Sequence, residues 1–63
     1  MFRIVDNFGL EMESGIATRE EAEERLMTIS LWAAGANDDP TDVAGMALAK
    51  ILREEVFHIE EER

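Results

Sequence analysis

Thr18 and Glu21 stand three residues apart at the head of an apolar run, and that spacing constrains the chain more than any other feature in it. It is the pattern of a capping box. The Thr18 hydroxyl accepts from the backbone N–H of Glu21, and the Glu21 carboxylate accepts from the N–H of Thr18, so a helix begins here. Glu20, Glu21, Glu23 and Glu24 follow in its first turns, where negative charge meets the positive end of the helix dipole. Gly35 supplies the left-handed stop, which bounds a helix over about 19–34. Ala22, Leu26, Ile29 and Ala33 recur at helical period and predict a core-facing stripe. Met27, Leu31 and Ala34 form a second stripe on another side, and Trp32 flanks the first. A helix that is apolar on two sides has to bury both or offer one to a partner.

The segments on either side supply the rest of a small α+β domain. Residues 2–6 and 10–14 alternate in polarity and read as strands, joined by the loop Asn7-Phe8-Gly9 with Gly9 left-handed. That loop predicts pairing of Ile4 with Met12 and of Arg3 with Glu13, with Phe2, Ile4, Leu10 and Met12 sharing one apolar face. A two-stranded hairpin is marginal alone, so the helix at Thr18 is its nearest cover. After Gly35, Asp39 as N-cap and Pro40 at the first helical position predict a second helix over about 40–59. Ala44, Leu48, Ile51, Leu52, Val56 and Ile59 would line its core side, while Val43, Met46 and Phe57, with Lys50 among them, would lie away from it. Gly45 inside that helix costs about 1 kcal/mol of propensity and suggests close approach of another backbone. By helical angle Glu55 falls within the apolar stripe, a conflict that a shifted stripe or a cationic partner such as Arg25 or Arg53 would resolve. The predicted fold is ββαα, one domain over residues 1–63, with residues 60–63 fraying into an acidic tail.

Composition narrows the function classes. A 63-residue chain buries only about 60% of its unfolded surface, and without cysteines it has no disulfide to stabilise it, so self-association is one route to stability. Fifteen acidic residues against six basic ones give a net charge of −9, the wrong sign for direct nucleic-acid binding and a suitable one for a basic protein partner. The opening MFRIVDNFG lacks the pattern of a signal peptide, and the apolar stretch 26–36 is too short for a bilayer span, so a cytoplasmic protein without membrane contact is expected. His58 is the single histidine, and no nucleophile or phosphate-loop signature is present, so no catalytic residue and no cofactor is assigned.

The block RIVDNFGLEMESGIATREEAEERL, a strand, an Asp-x-x-Gly turn, a strand ending in Ser-Gly and then Ala-Thr-x-Glu-Glu-Ala, resembles a pattern of small bacterial and phage open reading frames. In size and charge the chain is also similar to compact acidic phage inhibitors, including some anti-CRISPR proteins. The resemblance spans about the first 26 residues and implies a ββα start, not an activity; the likeness in size and charge is what implies a bacterial host cytoplasm and an inhibitor that occupies a basic, nucleic-acid-binding surface of a host protein.

The candidate partner-binding residues are Met27, Leu31, Met46 and Phe57, as apolar contacts, and Glu54, Glu60, Glu61 and Glu62, as a steering acidic run. The same acidic run also reads as a solvated helix end that serves solubility alone. Two further readings stand beside the inhibitor. One is a self-assembling homodimer or larger oligomer whose charge is only for solubility. The other, ranked third, is a metal site at Glu55 and His58, since Glu-x-x-His puts both side chains on one helical face, although such pairs arise in any acidic helix.

Overall fold

The computed structural model describes residues 1–36 and 41–62. Its first turn is built by Asp6. One carboxylate oxygen of Asp6 accepts from the N–H of Phe8 at 2.8 Å and of Leu10 at 2.9 Å. The Asp6 carbonyl accepts from Gly9 N–H, and its own N–H donates to the Leu10 carbonyl. Gly9 sits at φ +82°, so this is the expected three-residue loop closed by a left-handed glycine.

Strands β1 (Phe2–Val5) and β2 (Glu11–Ile16) leave this loop antiparallel. Val5 faces Glu11 as the loop dictates, but the next pairs are Ile4 with Glu13 and Phe2 with Ile16. Each step passes over one extra β2 residue, so the expected pairings of Ile4 with Met12 and Arg3 with Glu13 are replaced. Gly15, at φ +69°, lies in the second of these irregularities. The two irregularities bring Ile16 opposite Phe2 and into the core, while Leu10 and Met12 are left exposed. The apolar face expected from Phe2, Ile4, Leu10 and Met12 is therefore a core of Ile4, Ile16, Ala22 and Phe57, with Phe2, Leu26, Ile29, Leu52, Val56 and Ile59 packed against it.

Helix α1 (Arg19–Ala33) begins where the capping pattern places it, with the Thr18 hydroxyl accepting from Glu21 N–H at 3.1 Å. At its end Gly35 N–H donates to Trp32 and Ala36 N–H to Leu31, with Gly35 at φ +75°. These paired bonds are a Schellman motif, and buried Ala36 supplies its apolar contact.

Helix α2 (Val43–Ile51) is shorter at both ends than expected. Its N-cap is Asp42, whose carboxylate accepts from Gly45 N–H at 2.9 Å, while the predicted cap Asp39 and Pro40 lie outside the described residues. The atoms nearest Gly45 belong to the cap and not to a second backbone. A Cβ there would stand 2.8 Å from the Asp42 Cγ, so the glycine makes room for the cap. Past Ile51 the chain forms a single π turn, Leu52–Val56, closed by Phe57 N–H donating to the Leu52 carbonyl at 2.7 Å. Phe57 is extended, and strand β3 (His58–Glu61) pairs antiparallel with β1, placing Ile59 opposite Ile4 and Glu60 opposite Arg3. The sheet order is thus β2-β1-β3. The α+β hairpin with two helices stands as predicted, but the helix expected to reach residue 59 gives way to a third strand. Helical continuation would have placed Glu55 in the core stripe. The turn instead leaves Glu55 exposed and buries Phe57, which retains 8% exposure. Glu60 to Glu62, expected at a fraying helix end, continue the sheet, and Glu62 N–H donates to the Met1 carbonyl.

Candidate functional site

The hairpin tip is the best-defined projecting feature. Phe8 stands 95% exposed at the apex of the loop that Asp6 holds from within. From outside, the Asn7 side-chain amide donates to the Glu55 carbonyl at 3.1 Å, tying the loop to the π turn between α2 and β3. Since Val5 pairs with both Glu11 and His58, the same end of the sheet carries Glu11, His58 and the exposed Glu54 and Glu55. The arrangement is an aromatic side chain on a short pinned loop, edged by carboxylates. A rigid aromatic with few rotatable bonds loses little entropy on docking, and a surrounding negative field favours approach to a cationic surface.

Phe57, expected on an exposed second patch, is core, because the helix that would have presented it ends at Ile51. Met27 and Met46 are about half-exposed on their helices, and Leu31 is half-buried. The acidic run divides. Glu54 lies on the π turn beside the hairpin tip, whereas Glu60, Glu61 and Glu62 lie on or just beyond β3. Glu60 accepts from the Arg3 guanidinium at 2.8 and 3.2 Å, and that hydrogen bond together with the Glu60 charge raises the Arg3 pKa. Glu62 accepts from Gly15 N–H at 3.1 Å. Two of the four carboxylates thus close the sheet, leaving Glu54 and Glu61 projecting. Glu55 and His58 do not share a helical face, since the extended Phe57 separates them, and among the described residues no three acidic or histidine side chains converge as metal ligands.

No protein-family model matches the chain, and no curated protein or solved structure matches it either. Among the described residues no cavity is formed and no helix is long and apolar enough to cross a membrane.

Phe8 carries no sequence motif. The signal was an aromatic residue in a turn otherwise built of Asp, Asn and Gly, where neither strand packing nor turn geometry calls for one. A second exposed surface lies elsewhere. Residues 26–36 and 43–52 contain no acidic residue, and they carry the exposed Met27, Trp32, Val43, Met46, Leu48 and Ile51. Among the described residues the carboxylates lie on the hairpin, the first half of α1, Asp42 and 54–62, while exposed large apolar side chains lie both on the hairpin, at Phe8, Leu10 and Met12, and on these acid-free helical segments.

Proposed function

We propose that this chain is a non-enzymatic, acidic protein-binding module that seats Phe8 in an apolar pocket of a basic protein surface, with Glu11, Glu54 and Glu55 meeting cationic residues around it. The observation that carries this reading is the Phe8 loop itself, held by two hydrogen bonds that the Asp6 carboxylate accepts and one that Asn7 donates, although its aromatic ring is left uncovered by the described residues. A large apolar side chain on a preorganised tip is a contact made ready before its partner arrives. The excess of negative charge supports a partner whose surface is basic, and a surface that otherwise holds nucleic acid is basic because it neutralises phosphates with Lys and Arg. Blocking such a surface in a bacterial cytoplasm, as a phage-type inhibitor does, is the role we propose.

The test is affinity capture of the tagged chain from bacterial lysate at low and high salt, with wild type, Phe8→Ala and the double variant Glu54→Lys/Glu55→Lys in parallel. We expect a retained protein that salt or added DNA displaces, lost at least tenfold with either variant. Retention indifferent to salt and to both variants would sink the reading.

A further inference from the structure

We propose that the outward face of α2 is the interface of a homodimer, in which two copies pack their α2 helices antiparallel about a two-fold axis at Ala47. The inward side of α2 is defined by buried Gly45 and Ala49 and half-buried Leu52. Half a helical turn away, at steps of four, lie Val43, Ala47 and Ile51, all exposed, with Val43 at 77%. Met46 and Leu48 flank this ridge, and Ala44 is exposed beside it. The helix is apolar around most of its circumference, yet among the described residues it has a neighbour on one side only, which is the condition for a buried helix rather than a surface one.

Three features select a second copy of this chain as the occupant. The first is the shape of the ridge. It runs large, small, large, and an antiparallel copy sets Ala47 against Ala47, allowing close approach while Val43 of each copy meets Ile51 of the other; this is the self-complementarity that a two-fold interface requires. The second is charge. No acidic residue lies between Val43 and Leu52, so two chains of net charge −9 can meet here without apposed carboxylates. Lys50, the one charge on the helix, is carried toward the second copy's Asp42, and the two helix dipoles run in opposite directions. The third is area. With fully exposed side chains of this size presenting on the order of 150–200 Å², the exposed fractions on α2 come to roughly 500 Å² per copy, or about 1,000 Å² for the pair, the threshold for a specific interface. A cysteine-free chain of 63 residues also gains stability by association that its own core is too small to supply.

The full-length chain decides this by light-scattering mass across a hundredfold concentration range, compared with Ala47→Glu, and by mild oxidation of Ala47→Cys. The expected mass is twice the 7.1 kDa of one chain, falling to one chain for Ala47→Glu with its circular dichroism unchanged. Because the chain has no cysteine, Ala47→Cys should form a single disulfide-linked dimer, whereas Glu24→Cys, on the acidic half of α1, should not. A wild-type mass of 7.1 kDa at every concentration would overturn the proposal, and so would a larger mass that Ala47→Glu leaves unchanged or equal cross-linking of the two cysteine variants. Partner capture through Phe8 is read separately, so either reading can fail alone.

Discussion

Replacing Gly45 with alanine should reveal the geometry of the α2 N-terminus, because two effects of similar size oppose each other there. In an exposed helix interior alanine gains about 1 kcal/mol over glycine. At Gly45 the added methyl meets the Asp42 side chain, with the Cγ at 2.8 Å, well inside van der Waals contact. The Asp42 carboxylate must swing away and give up its hydrogen bond to the Gly45 N–H, which forfeits a cap worth about 1–2 kcal/mol. In the wild-type background Gly45→Ala should therefore be neutral or destabilising by up to about 1 kcal/mol, against its propensity. Once Asp42→Ala has removed the carboxylate, the three atoms nearest the methyl are gone, and the same substitution should stabilise by up to about 1 kcal/mol. The coupling between the two sites, about 1–2 kcal/mol, is the quantity predicted. Urea denaturation followed by far-ultraviolet circular dichroism at one fixed protein concentration measures all four corners of the cycle. Additivity within about 0.3–0.5 kcal/mol, or a gain from Gly45→Ala in the wild type equal to that in Asp42→Ala, would refute the argument.

Other positions give simpler outcomes. Phe57→Ala should cost about 3–5 kcal/mol, most of what a domain of this size possesses, and leave no cooperative thermal transition above about 40 °C; a melting temperature within 5 °C of wild type would show that Phe57 is not core. Ser30 is 1% exposed and its hydroxyl has no hydrogen-bond partner among the described residues, so Ser30→Ala should stabilise by about 1 kcal/mol and raise the melting temperature by about 4–8 °C, whereas a loss would mean that the hydroxyl is satisfied in solution. Asp6→Ala removes the two bonds its carboxylate accepts in the hairpin loop and should cost about 1–2 kcal/mol, with amide exchange rising at Phe8 and Leu10; unchanged protection there would mean that the loop holds its shape without the carboxylate.

The parts of this fold that were legible in the sequence are those governed by a few neighbouring residues. Thr18 with Glu21, Gly35, and the Asp6 to Gly9 loop each act through backbone bonds within one turn, and each stands where local chemistry puts it. The β1–β2 register was not legible beyond the loop. It depends on burial of Ile16 against a core that includes Phe57, forty-one residues away, and the chain slips twice to achieve it. The third strand was missed for a related reason. Residues 52–59 satisfy a helical stripe as well as a strand, and the carboxylate of Glu55 inside that stripe was the sign that the helical pattern failed. Val56, Phe57 and Ile59 have strand propensity, and pairing with β1, a tertiary contact, decided between the two. Phe8 was read as a turn residue because its significance lies in what does not touch it.

The π turn links these observations. Had α2 continued as a regular helix, residues 53–59 would have carried Glu54 and Glu55 onward with it, and β1 would have remained an open edge. One wider turn at Leu52–Val56 redirects the chain so that Phe57 fills the core, Ile59 closes beside Ile4, and the Glu55 carbonyl faces Asn7. The hydrogen bond that braces the Phe8 loop therefore exists because the helix stops where it does. The same turn confines α2 to nine residues with no acidic side chain, leaving an apolar ridge whose only charge is Lys50. The carboxylate-edged tip and the uncharged ridge are thus produced by one local departure from helical geometry. The two proposed contacts should respond oppositely to salt: screening would weaken attraction of a basic partner to the tip and would relieve repulsion between two chains of net charge −9 brought together through the ridge.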